Sequence, residues 1–162
     1  MNTDEQECFT CSGGDFAQKT RENIEEFGVS IVGTQHEISI GTIQMTYSIG
    51  ITETLNKPEL IIFGIPTKHA QTFINMYMQM LRDGKEFKAG VEYPDFASGF
   101  MTRLKEISRD SYMDHLCQAY EFNIQNNNDI KAMQFIFPDK EGKWPEDPEV
   151  DPKNLLMLNI LD

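Results

Sequence analysis

Residues 46–66, TYSIGITETLNKPELIIFGIP, constrain the fold more than any other part of the chain. Met45, Tyr47, Ile49 and Ile51 alternate with Thr46, Ser48, Gly50 and Thr52, which puts an apolar row and a small polar row on opposite faces of one strand. Leu60, Ile61, Ile62 and Phe63 form an unbroken apolar run, the pattern of a strand buried on both faces. Asn56, Lys57 and Pro58 between them are turn chemistry, because proline has no N–H to give a ladder. The two strands are expected to pair at the centre of a sheet, with a helix starting directly after Pro66.

The remaining segments arrange themselves around that pair. Phe16, Thr20, Ile24 and Phe27 share one face of a helix over 15–27 that Gly28 stops, and 29–32 reads as a short strand followed by a strand or hairpin entry over 34–43. Ala70, Phe73, Ile74, Tyr77, Met78 and Leu81 recur at helical spacing, with Thr67 as N-cap and Gly84 as stop. Two short strands fall within 85–107, a helix capped by Ser108 or Asp110 runs to about 123, and 132–137 is a last strand. Residues 1–14 read as a polar arm, 15–137 as the core domain, and 138–162 as a Pro-rich acidic tail pinned to that core by Trp144. The expected fold is a single α+β domain: a mostly antiparallel, strongly curved sheet, with partial closure into a barrel as a variant, and about three packed helices.

Composition removes several classes of function. A formal net charge of −12 disfavours a nucleic-acid partner, since a polyanion is held by a basic footprint. No apolar run approaches the roughly 20 residues of a membrane helix, and MNTDEQECFT lacks the regions of a signal peptide, so a soluble cytoplasmic protein is expected. Three cysteines do not make a secreted disulfide framework. Neither nucleotide-binding glycine fingerprint nor a nucleophile elbow is present.

Candidate chemistry gathers at the central turn. Tyr47, Ser48 and Thr52 line the first strand, Glu53 and Glu59 bracket the turn, and Thr67 and His69 open the next helix. The plain reading is a small-residue strand face with solvated carboxylates at its ends. The sharper reading is a pocket at the strand ends for a small polar or anionic ligand, closed by the helix that begins at Thr67, with Gln134 pointing in and Trp144 as a roof. An enzymatic alternative uses Glu53, Glu59 or His69 as acid or base; a protein-interaction module acting through the tail is the third reading. Cys8 and Cys11 have the spacing of half a zinc site, but His115 and Cys117 lie two apart on a helix and point in different directions, so no metal is expected. Cofactors are left open. Met76, Met78 and Met80 cannot all face inward on one helix, and with 155–161 they suggest a homodimer surface.

The blocks TRENIEEFGVSIVG (20–33), YSIGITETLNKPELIIFGIP (47–66) and MQFIFPDKEGKWPEDPEVD (133–151), in this order and spacing, resemble the signature blocks of the DUF4262 family, a bacterial group of unknown function. The resemblance spans roughly residues 8–152 and implies no reaction. Residues 144–148, Trp-Pro-Glu-Asp-Pro, stand where the family resembles a PWDP pattern, and Asn154, Leu155 and Leu156 where a QP segment is common.

Overall fold

A computed structural model describes residues 14–94, 96 and 101–162. Its elements in chain order are α1 (Gly14–Phe27), β1 (Ser30–Ile38), β2 (Gly41–Ile49), α2 (Ile51–Leu55), β3 (Glu59–Phe63), α3 (Thr67–Arg82), β4 (Glu92–Tyr93), β5 (Thr102–Glu106), α4 (Arg109–His115), α5 (Cys117–Gln125), β6 (Ala132–Ile136) and α6 (Pro152–Leu158). The expected arm with Cys8 and Cys11 lies outside the described residues.

β1 and β2 form one long hairpin, from Ser30 opposite Ile49 to Ile38 opposite Gly41. β2 then stops, because Gly50 takes φ 111° and turns the chain into the short helix α2. Ile51 and Thr52, expected to prolong the strand, are instead the first helical residues, and Asn56 at φ 55° ends the turn. β3 pairs antiparallel with β2 on one side and parallel with β6 on the other. The sheet order is β1-β2-β3-β6-β5-β4, so the all-apolar β3 is central, as its sequence requires.

This is an α+β fold, and several details differ from expectation. The sheet is mixed, with one parallel pairing, β3 with β6, among antiparallel ones. It is open, with β1 and β4 as its edges, and no barrel closes. Six helices rather than about three are found among the described residues, three of them too short to show a helical period in sequence. The helix expected from Ser108 to about 123 is two helices broken at Leu116, whose backbone leaves the helical region at φ −121°, ψ 37°. Ser108 caps the first of them, its Oγ accepting from Ser111 N–H. The N-cap of α3 is Pro66 rather than Thr67, whose hydroxyl instead donates to Gln44 Oε1 at 2.9 Å.

The sheet is covered on both faces. On one, α3 buries Ala70, Ile74, Tyr77, Met78 and Leu81 against Leu60, Ile62, Leu104, Met133 and Phe135. Thr46 and Ser48 give β2 a low surface on this side, so α3 can approach it closely. Met78 is buried, while Met76 and Met80 are half-buried against the same core. On the other face Ile43, Met45, Tyr47, Ile49, Ile61 and Phe63 meet Ile24, Tyr112, Leu116, Ala119 and Leu161.

The C-terminal segment is ordered by aspartates. Asp139 accepts from the backbone N–H of Glu141 and Lys143, Asp147 from that of Trp144 at 2.7 Å, and Asp151 caps α6 through Lys153 N–H. Gln134 on β6 then fastens the end of the chain, donating to Leu158 C=O at 2.9 Å and accepting from Leu161 N–H at 2.8 Å while wholly buried. Gly64, at φ 77°, lets α6 come so close that a Cβ there would lie 2.7 Å from Met157 O.

Gln134→Leu keeps the volume but strands a buried C=O and a buried N–H. It is expected to cost about 2–4 kcal/mol in urea denaturation and to speed proteolysis within 150–162. A loss below about 0.5 kcal/mol would show that the amide does not hold the tail.

Candidate functional site

Two places concentrate polar chemistry. The first is the carboxyl group of Glu59, at the start of β3 and fully buried. Its Oε1 accepts from Gly50 N–H at 2.8 Å and Thr52 N–H at 3.1 Å; its Oε2 accepts from Ser48 Oγ at 2.6 Å and Ile51 N–H at 3.2 Å. A carboxylate offers about four acceptor positions, so these donors fill it. Three of them are backbone groups at the start of α2, where a helix leaves its N–H groups unpaired. Ser48 Oγ in turn accepts from Leu60 N–H at 3.0 Å, and Thr52 Oγ1 donates to Lys57 C=O at 3.0 Å. Ser48, Thr52 and Glu59, sought as a ligand site, are thus one internal knot joining β2, α2 and β3.

Burial pushes the Glu59 carboxyl up from its ordinary 4.5 to about 7, against the pull of Ser48, Thr52, Gly50 and Ile51. The protonated form also fits, since its O–H can donate to Ser48 Oγ while the three amides keep their acceptors. What the arrangement does not provide is a lone pair or a path for a substrate.

The other predicted residues are dispersed. Tyr47 is buried and donates to Gln118 Oε1 at 2.6 Å, and burial raises its phenol well above the ordinary range. Glu53 is half-buried and paired with Arg21 at 2.8 Å, whose guanidinium also reaches Asn126 Oδ1 and stacks over Phe122. His69 is exposed at the start of α3, beyond the far end of β3 from Glu59 and so separated from it by at least roughly 13 Å of strand. Thr67 borders that same far end, beside a small hollow of about 220 Å³ lined by Gln44, Gly64, Pro66 and Met157 among others. His115 is half-buried, its ring 5.0 Å from that of His36, and Cys117 is half-buried at the start of α5. Among the described residues no group of three or more His, Cys, Asp or Glu is placed to hold a metal ion.

The second place is a cleft of about 610 Å³ on the β5–β6 face opposite α3. Its floor is set by register: Arg103 stands opposite Ile136 and Lys105 opposite Gln134. Its roof is the tail, through Pro145, Glu146, Leu155 and Ile160, and Ala89 and Gly90 close the side. Three side chains attach roof to floor. Arg103 stacks on Trp144, 3.8 Å from the ring centroid, and its guanidinium pairs with Glu92 at 2.8 Å and with Glu146. Lys105 donates to Leu161 C=O, and Gln134 makes its two bonds alongside. Trp144 and Gln134 therefore border this cleft and not the central turn.

Arg103 and Lys105 carry the cleft and are not evident from sequence. Their signal was present: in TRLKE they alternate with Thr102 and Leu104, placing two cations on one strand face that an acidic tail can cover. A further groove of about 490 Å³ lies between α1, β1 and α3, lined by Asn23, Phe27, Gln71 and Asn75 among others. Its cation, Arg82, is engaged by Phe27 C=O at 3.0 Å.

The family model of DUF4262, a domain of unknown function, matches residues 23–151, and the chain belongs to that family. Comparison with curated proteins and with solved structures returned no match.

Glu59 substitutions read the knot directly. At pH 5, Glu59→Leu is expected to cost about 3–5 kcal/mol in chemical denaturation, because three amides and a hydroxyl lose their acceptor. Glu59→Gln, which mimics the protonated acid but turns an amide donor toward Ile51 N–H, is expected to cost about 1–2 kcal/mol. The raised carboxyl also fixes a sign for pH. Between about 4.5 and about 7 the folded chain keeps a proton that the unfolded chain has released, so this contribution is complete below 4.5 and is lost as pH rises to 7. The stability of wild type relative to Glu59→Gln should therefore fall by about 3 kcal/mol between pH 4.5 and 8, enough to reverse its sign. An advantage that grows with pH would mean that the knot holds the anion.

Proposed function

We propose that this chain is a small-molecule-binding domain whose ligand lies in the cleft between the β5–β6 face and the tail. One observation carries the reading: a cleft of about 610 Å³ walled largely by apolar side chains, with Arg103, Lys105 and Glu146 as its charged groups. Cavities of this size with a few convergent polar groups are where small ligands bind. The alternative location, at the ends of the central strands, is disfavoured because Glu59, Ser48 and Thr52 spend their hydrogen-bonding capacity on each other and on backbone. The enzymatic reading loses support for the same reason, since Glu59 and His69 stand at opposite ends of β3.

The tail gives the cleft its shape, so binding and tail docking are linked. A ligand that contacts Leu155 and Ile160 as well as Ile136 bridges α6 and the sheet and stabilises the closed arrangement. The neutral fluorescent probe N-phenyl-1-naphthylamine is expected to bind saturably with one site per chain and to raise Tm. Leu155, 37% exposed on α6, can be enlarged without disturbing the core. Leu155→Trp is expected to weaken the probe at least about tenfold, or 1.4 kcal/mol, with Tm of the unliganded protein unchanged. No saturable binding, or equal binding by the variant, would defeat the proposal.

A further inference from the structure

We infer that the ligand class is an amphipathic anion: an apolar body carrying one carboxylate or similar end group, with that end held by Lys105. The inference rests on the cleft reading above and adds the chemistry that selects among apolar molecules. The formal charge of the whole chain is −12, yet the residues lining this cleft include two cations and one carboxylate. The two cations are not equivalent. Arg103 is neutralised by Glu92 and Glu146 and covered by Trp144. Lys105 meets no carboxylate within ion-pair distance among the described residues; its partner is a neutral carbonyl, that of Leu161. An ammonium has three N–H donors, so two remain for a ligand.

The surroundings strengthen that charge. Lys105 is half-buried, and the apolar side chains lining the cleft on its face of the sheet include Ile136 and Ile160. An apolar wall excludes water and lowers the local dielectric, so an anion at the ammonium gains more than it would on an open surface. Glu146 limits the number of anionic groups a ligand can carry, because it lines the same cleft. A molecule with two or more negative charges would face it, whereas one terminal anion can sit at Lys105 with its hydrocarbon along Ile136, Ile160 and Leu155.

The test is displacement of N-phenyl-1-naphthylamine at pH 8 by octanoate, octan-1-ol and octylammonium, which share one chain and differ in charge. Octanoate is expected to displace the probe at about one-tenth the concentration that octan-1-ol needs, with octylammonium weakest. Lys105→Met should bring octanoate to the level that octan-1-ol shows in the same variant, while Lys105→Arg keeps the preference. Raising the salt concentration should narrow the gap in wild type and in Lys105→Arg, and change nothing in Lys105→Met. Equal displacement by octanoate and octan-1-ol, a preference for octylammonium, or a preference that survives in Lys105→Met with its Tm intact would overturn the assignment of the anion while leaving the cleft as a binding site. A probe that does not bind at all would remove both.

Discussion

The carboxyl group of Glu59 is the interaction on which the rest of the structure depends. β2 must end and reverse before β3 can lie beside it, and the reversal leaves the amides of Gly50, Ile51 and Thr52 inside the protein. Buried amides need acceptors, and one side chain supplies three of them and Ser48 as well. The cost is a fully desolvated acid in the central strand, reflected in a carboxyl raised to about 7. With that turn fixed, β3 is held in register with β2 and offers its other edge to β6, and β6 in turn places Gln134 under the tail.

The tail shows how a segment of loop composition becomes structure. Its prolines exclude regular ladders, and its acids read in sequence as solubilising charge; three of the aspartates instead accept backbone N–H groups and shape successive turns. Arg103, Lys105 and Gln134, neighbours on the facing surface of β5 and β6, then fasten it at separate points. Fastening at points rather than by continuous packing is what leaves a cleft between roof and floor. Leu155, Leu156 and Met157 of α6 remain more than a third exposed beside it.

What could be read in the sequence was what local chemistry decides. The apolar run of Leu60 to Phe63 identified the central strand, and the three- and four-residue spacing from Ala70 to Leu81 identified α3. Ile51 and Thr52 misled because apolar alternation continues through them; the helix forms there because Gly50 adopts a positive φ and Glu59 accepts its first amides. Glu59 itself reads as a solvated strand end, since its donors come from residues that only the fold brings near. The cleft was hidden for the same reason. Arg103 and Lys105 signal a charged strand face, but the covering tail lies about forty residues away in the chain and only the Arg103–Ile136 and Lys105–Gln134 register brings the two together.

These parts amount to a scaffold in which one buried acid secures the sheet and a clamped tail roofs the cleft proposed as the ligand site, within the DUF4262 family. The competing location is the groove between α1, β1 and α3, where Val29, Ile31 and Met78 supply the apolar contacts. Methyl-resolved NMR of the protein titrated with octanoate separates the two in one spectrum. Shifts are expected at Ile136, Leu155 and Ile160 with quiet methyls at Val29, Ile31 and Met78; the reverse pattern, or no shifts at saturating concentration, would contradict a ligand in the cleft.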